Sequence, residues 1–509
     1  MKDIVNLGDL FDASFGTATA IIDRLTWDTP REASYEALDR YTDACARGLI
    51  ARGLQRGERV GVVSGNRIGF FIALFGILRA GLTAVPVNHK QPSETVEFLF
   101  EDADVRFAFC DPERESLVPA ACPRFVFDAS SESDLGDFLD EGEFESIRPA
   151  PSDPAFILYT SGSTGRPKGV PCTHGGQIWI LRTRLGFAAA GAGRQRALIA
   201  APLYHLNGLG SGMGMVAGGH TIVLHPGFDA RRYLNDLEHF HCTSVTAVPT
   251  MLAMALKETD LLDPARYRSV RMLRVGSAPV TQSLLDRLAQ LFTEAQFGNA
   301  YGITEGGQLV FGPHPDGIPV PPISCGWPAP GVSLRIVDAE GRDADEGALW
   351  IRSPAVMPGY LNLPDKSAEV LTADGWYRTS DRFRRDAQGF YYFVGRTDDM
   401  FVCGGSNVYP GEVESMLERH PEIAQCSVVP VEDEIKWQKP VAFIVRRPGS
   451  TLTEKAVQDY ALRHAPAYHH PRKVWFVDAL PLAGTNKVDR KELTTRAAQL
   501  WQAGQGSTA

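Results

Sequence analysis

The run YTSGSTGRPKGV, residues 159–170, gathers four serine and threonine hydroxyls, three glycines and one lysine into twelve positions. It follows FILYT (156–160), an apolar stretch that reads as a buried strand. Gly162, Gly165 and Gly169 free the backbone to curl and turn successive N–H groups inward. Thr160, Ser161, Ser163 and Thr164 add hydroxyl donors, and Lys168 adds a positive charge. That set of groups suits a polyphosphate. The spacing is not that of the P-loop, because Pro167 precedes Lys168 and Gly169 follows it. A solvated Ser/Gly turn is the bland alternative, but it gives no reason to place a lysine and four hydroxyls directly after a buried strand.

A chain of 509 residues is too long for one hydrophobic core, so about two to four domains are expected. With 44% hydrophobic and 22% charged residues the composition is that of a globular protein. A net charge of −10 argues against nucleic acid or a membrane surface as partner, so an anionic ligand must be held by local donors. The eight cysteines form no C-x-x-C pair, which points away from zinc and disulfides and towards a reducing, cytoplasmic setting. The start of the chain lacks the pattern of a signal peptide. The apolar run IGFFIALFGIL (68–78) is shorter than the ~20 residues that span a bilayer, and is expected to be a buried helix rather than a membrane insertion.

The elements that must position the loop follow an alternating order. SYEALDRYTDACARGLIARGL has helical spacing, ERVGVVSGN reads as a strand, residues 68–80 as a helix and LTAVPVN as a strand. RFAFCD (106–111), RALIAAPLY (196–204) and TIVLH (221–225) continue the strand series, giving α/β architecture with parallel sheets covered by helices. From about residue 320, short strands broken by acidic turns suggest an antiparallel ribbon or small barrel-like subdomain. Helix from about 410, strands at 425–430 and 440–446, helix at 453–464 and strand at 473–478 make a separate, smaller α/β domain. The boundary is expected within GRTDDM (395–400), giving domains 1–396 and 397–509.

The loop resembles the signature of the adenylate-forming, AMP-binding superfamily, which includes acyl-CoA synthetases. The rest of the series appears in the family's order: APLYHLNG (201–208), VGSAPV (275–280), YGITEGG (301–307), GWYRTSD (375–381), GRTDDM (395–400), GGSNVYPGEVE (404–414) and LAGTNKVDR (482–490). GGSNVYPGEVE and TNKVDR are closest to the benzoate and halobenzoate CoA ligase branch.

The resemblance implies that a carboxylate attacks the α-phosphate of ATP, and that the acyl-adenylate then passes its acyl group to coenzyme A. It implies that Thr304 contacts phosphate and that Glu305 binds Mg2+, an ion that prefers oxygen ligands. Tyr301 matches the aromatic that packs on adenine, beside Gly302 and the small residues Gly276, Ser277 and Ala278. Asp381 and Arg396 match ribose and phosphate contacts, Asp398 the hinge, and Lys487 the lysine that meets the reacting carboxylate during adenylation. Because Lys487 lies in the C-terminal domain, adenylation is expected to require that domain to close over the ATP site.

Gly404, Gly405 and Trp437 are the coenzyme A candidates, with Tyr468 and His470 behind them. Around Trp437 the sequence departs from the commoner Gly-Glu pattern. Cys403 has no local activating partner and reads as structural. His205 is expected as acyl-pocket wall rather than base, since a carboxylic acid is already ionised at pH 7. Leu206, Asn207, Ile303, Gly306 and Gly307 are expected to share that pocket with His205. None of these is basic, which argues against a dicarboxylic substrate; aromatic and medium-size acids fit. The leading expectation is an acid–CoA ligase, with a stand-alone enzyme loading an acyl-carrier protein as the alternative. A non-catalytic nucleotide-binding protein is the third reading, and a homodimer is left open.

Overall fold

The structure is a computed structural model that describes residues 4–160, 166–187, 193–403, 406–433, 437–484 and 486–505. Among these residues, one sheet has six strands in the spatial order Arg124–Val126, Val105–Cys110, Arg59–Val63, Thr83–Pro86, Pro154–Thr160 and Lys168–Thr173. All neighbours are parallel except the last pair, an antiparallel hairpin in which Thr160 faces Lys168. A second sheet runs Gln296–Ala300, Met272–Gly276, Ser244–Ala247, Arg196–Ile199, Thr221–Leu224, Thr19–Asp23 and Arg31–Ser34, parallel until the final pair.

The helix Ile68–Arg79 shows why the two sheets form one body. Every one of its residues is buried. A helix apolar on all sides cannot face water, and its side chains join those of both sheets in one continuous core. Its N-terminal N–H groups lack a local cap. Buried carboxylates from elsewhere accept them: Asp23 from Ile68 at 3.0 Å and Asp134 from Gly69 at 2.9 Å. Arg67 then pairs with Asp134 at 2.8 Å and Asp111 at 2.9 Å, and Arg31 with Asp23 and Asp134, both at 2.7 Å. Burial opposes the charge on Asp134, but the Arg67 and Arg31 hydrogen bonds hold its carboxyl below the usual range.

The strands expected as a ribbon or barrel form a four-stranded antiparallel sheet, Ser333–Val337, Glu346–Arg352, Tyr377–Arg385 and Tyr391–Arg396. The chain leaves that sheet at Arg396. It enters another at Phe401–Cys403, where Ser406–Val408, Trp437–Arg446, Ile423–Asp433 and Val474–Phe476 complete five strands. Helices Pro410–Leu417 and Glu454–His464 pack on one face of that sheet and Arg490–Gln505 on the other. No helix among the described residues is long and apolar enough to cross a membrane.

Asp134→Ala is expected to lower the unfolding free energy by about 3–5 kcal/mol, because Arg67 and Arg31 keep buried charge with one partner fewer. Urea denaturation of both forms measures it, and a loss within the scatter of surface substitutions would remove this network from the list of what holds the sheets together.

Candidate active site

The glycine-rich hairpin, the carboxyl ends of the second sheet, the antiparallel sheet and the C-terminal domain enclose a cleft of about 2660 Å3. Residues 161–165, and with them Ser161, Gly162, Ser163, Thr164 and Gly165, lie outside the described residues. The flanks of the hairpin are placed. The Thr160 hydroxyl donates to Glu305 Oε1 at 3.2 Å, and the Tyr360 hydroxyl donates to the same oxygen at 3.2 Å. Lys168 Nζ is 3.4 Å from that hydroxyl and 4.4 Å from the centre of the Tyr360 ring. Glu305 Oε2 makes no hydrogen bond among the described residues. One carboxylate oxygen is thus tied to the fold, and the other is left to the cleft that Thr304 and Glu305 both line. A single carboxylate with phosphate oxygens beside it is a donor set that suits Mg2+.

A second group of residues sits where the antiparallel sheet meets the cleft. The Tyr301 hydroxyl donates to Asp381 Oδ2 at 2.5 Å, and Arg396 donates to Oδ1 at 3.2 Å and to Asp398 at 3.0 Å. Asp381 is 3% exposed. Burial pushes its carboxyl up, against the pull of Arg396 and the Tyr301 hydrogen bond. A carboxylate has about four lone-pair positions, so acceptor capacity remains for a diol. The Tyr301 ring stands edge-on to Phe383, with centroids 4.8 Å apart. Gly276 closes its strand against Ala300: a Cβ there would stand 2.4 Å from the Ala300 carbonyl oxygen, so no larger residue fits. Ser277 follows with φ of 64°, turning the chain along the cleft beside Ala278 and Gly302.

His205 precedes the helix Leu206–Ala217. Asn66 holds the approach to it, donating to the Ala201 carbonyl at 3.0 Å and accepting from Leu203 N at 2.9 Å. Burial first, then the nearby Lys487 and Lys90, push the imidazole down to about 4, so it is neutral at pH 7. Its Nε2 is buried without a partner. Asn207 bridges strands, donating to Ser277 Oγ at 3.1 Å and accepting from Thr246 at 3.2 Å. Leu206, Asn207 and Ile303 line the cleft, but Gly306 and Gly307 do not. Gly306 is buried against Ile303 and Ile351, and Gly307, at φ of 86°, against Ala355 and Ile180.

Lys487 reaches the same cleft from the C-terminal domain. Its carbonyl accepts from Ala483 N at 2.8 Å, Asn486 takes φ of 59°, and the Thr250 hydroxyl of the large domain donates to the Asn486 carbonyl. The Lys487 ammonium has no hydrogen-bond partner among the described residues. Burial and then Arg396 push its pKa down, with Asp381 opposing. Gly404 and Gly405 lie outside the described residues, as does the side chain of Trp437, whose backbone pairs with Cys403. Tyr468 lines the cleft, and the imidazole of His470 lies 2.7 Å from Arg472. All eight cysteines are buried and unpaired.

Sequence reasoning missed four contributors. Tyr360 and Thr250 fall outside the recognised motifs and carry no local signal. Arg184 and Arg274 also line the cleft. Arg274 did leave a trace: it interrupts the apolar strand MLRVG, two residues before Gly276 and therefore on the same face.

A family model described as AMP-binding enzyme matches residues 12–361, and one described as AMP-binding enzyme C-terminal domain matches residues 412–487. The chain belongs to the AMP-binding enzyme family. It is 31% identical over 486 residues to the fatty acid–[acyl-carrier-protein] ligase ScoC of Streptomyces coeruleorubidus, covering 92% of each chain. It is 31% identical over 473 residues to the feruloyl-CoA synthase of an Amycolatopsis species, covering 91% of this chain and 94% of the other. Its fold superimposes on the anthranilate CoA ligase AuaEII in complex with anthranoyl-AMP with a TM-score of 0.87 and 26% identity over 98% of both chains.

Burial also pushes His89 and His174 down to about 4, as it does His205. A histidine whose folded pKa is depressed takes up its proton first in the unfolded chain. These three therefore make stability fall as pH drops from about 6.5 towards 4. Urea midpoints across that window are expected to fall on acidification, and to fall less in a His174→Gln variant; an equal slope in the variant would rule His174 out as a contributor.

Proposed function

We propose that the protein is an ATP-dependent, AMP-forming acid–CoA ligase. The observation that carries the reading is the unpartnered ammonium of Lys487, delivered by a second domain into the cleft that Thr160, Lys168 and Glu305 line. In the first half-reaction a carboxylate oxygen bonds to the α-phosphorus as the bond to the bridging oxygen breaks, and pyrophosphate leaves. Both partners are anionic, so the main task is to cancel their repulsion. Lys487 does so between carboxylate and α-phosphate. Thr160, Lys168, Thr304 and the hairpin residues Ser161, Gly162, Ser163, Thr164 and Gly165 do so along the polyphosphate. Glu305 would hold Mg2+, which would supply further neutralisation of the phosphate oxygens.

Asp381 and Arg396 take the ribose, while Gly276, Ser277, Ala278, Tyr301 and Gly302 frame the base. His205 stays neutral and offers Nε2 as a hydrogen-bonding wall. In the second half-reaction the thiol sulfur bonds to the acyl carbon and AMP leaves with the electron pair of the broken C–O bond.

Residues 397–509 form the moving domain in this reading, with Asp398 as the hinge that withdraws Lys487 and brings the 404–405 segment and Trp437 to the acyl-adenylate for coenzyme A. The unpaired cysteines favour a reducing compartment such as the cytoplasm. The similarity to an acyl-carrier-protein ligase supports a second reading, in which the acceptor thiol belongs to a carrier protein.

Acid-dependent pyrophosphate–ATP exchange is expected from both readings, and acyl-CoA release with free coenzyme A only from the first; exchange without any acyl-CoA would transfer the assignment to the second. Lys487→Ala is expected to slow exchange by about 10²–10³-fold while thioester formation from supplied acyl-adenylate changes little. Asp398→Pro is expected to do the reverse, and parallel losses in both steps would contradict a moving domain.

A further inference from the structure

Buried arginines elsewhere in this protein are matched to carboxylates. Arg67 has Asp111 and Asp134, and Arg79 has Asp39 and Asp43. Two arginines in the cleft are not. Arg274 projects from the strand Met272–Gly276 and has no hydrogen bond or ion pair among the described residues. Arg184 stands in the last turn of the helix His174–Gly186, whose start is fixed by the Thr173 side chain accepting from Gly176 N. It donates only to carbonyls, Gln308 at 3.1 Å and Gly210 at 3.4 Å. No carboxylate lifts either guanidinium. Burial and then Arg274 push Arg184 down to about 9.

The charged and titratable groups on the surrounding elements do not answer this excess. Glu294, at the cleft's edge, is taken by Arg271 at 2.9 Å. His220 is pushed down by burial and accepts from Gln195 N. Asp381 and Glu305 belong to the nucleotide end. A third donor points the same way: the side-chain amide of Gln308 lies against Gly210, beside the Arg184 contacts, with its Nε2 buried and unpartnered. All three side chains line the cleft. Arg184 is half-buried and Arg274 exposed to the cleft, and two like charges that line one cavity without a carboxylate partner leave guanidinium donors for an anion.

We propose that Arg274, Arg184 and Gln308 form an anion subsite in the acyl pocket, which receives the second carboxylate of a dicarboxylic acid substrate. The planar fork of a guanidinium matches a carboxylate with two parallel N–H donors, and the Gln308 amide adds a third direction. The carboxylate left in this subsite stays ionised and unreactive while the other meets Lys487. This inference rests on the acid-activating reading above and names its substrate class.

The test compares matched acids in which a terminal methyl is replaced by carboxylate: hexanoate against adipate, and 4-methylbenzoate against terephthalate. Pyrophosphate–ATP exchange is measured with the wild type, Arg274→Met and Arg274→Lys. The wild type is expected to prefer the diacid in at least one pair by about a hundredfold in kcat/KM, since a buried polar site rejects an analogue that leaves it unpaired. Arg274→Met is expected to invert the preference, and Arg274→Lys to retain part of it. Preference for the monoacid in both pairs, or a preference that survives Arg274→Met, overturns the subsite. Absence of exchange with every acid counts against acid activation itself. The subsite is then decided by calorimetric binding of adipate and terephthalate: heat lost in Arg274→Met supports it, and equal or absent heat in both forms overturns it.

Discussion

A charge removed from water must be answered by another charge or by several hydrogen bonds, and this fold answers nearly all of those it buries in its core. The helix Ile68–Arg79 could not pack between the two sheets without Asp23 and Asp134 to accept its first N–H groups. Those carboxylates could not be buried without Arg31 and Arg67. Replacing one partner leaves the other stranded, which is costlier than never burying the pair. The network therefore couples residues far apart in sequence into one rigid scaffold. Its rigidity is what allows the cleft to hold groups the fold itself does not satisfy.

Three groups with unanswered atoms face the cleft. Lys487 is an ammonium with its pKa pressed down, His205 a neutral ring with a bare nitrogen, Glu305 a carboxylate with one oxygen engaged. Each is positioned by a neighbour that makes no claim on the functional atom. Thr250 and Asn486 fix the Lys487 turn through backbone, Asn66 fixes the His205 approach through backbone, and Tyr360 and Thr160 share a single Glu305 oxygen. Such preorganisation lets charge neutralisation act without reorientation at the moment two anions meet.

Much of this was legible in the sequence because phosphate handling is local. Glycines, hydroxyls and a lysine within twelve residues must act together, and the other motifs each occupy a short run. The strand and helix order was legible for the same reason, as in FILYT or the wholly apolar 68–78 segment. What was not legible depends on where the chain folds back. Gly306 and Gly307 share a motif with Thr304 and Glu305, and their packing against Ile351 and Ala355 has no local signal in that motif. Arg184 and Arg274 are distant in sequence, and only the folded chain brings both to one cleft.

That difference separates the local chemistry of a phosphate site from the specificity of an acyl pocket. The phosphate groups are the same for every acid, so one contiguous loop can serve them. The acyl group varies, and the rest of the cleft is lined by single side chains on separate elements: Asn207 on one helix, Arg184 on another, Arg274 on a strand, Gln308 in a connection. A pocket built this way can change its substrate by changing one residue without disturbing the phosphate site. The arginine inside the strand MLRVG illustrates the cost of that freedom. A guanidinium there interrupts an otherwise apolar strand and turns its charge to the cleft.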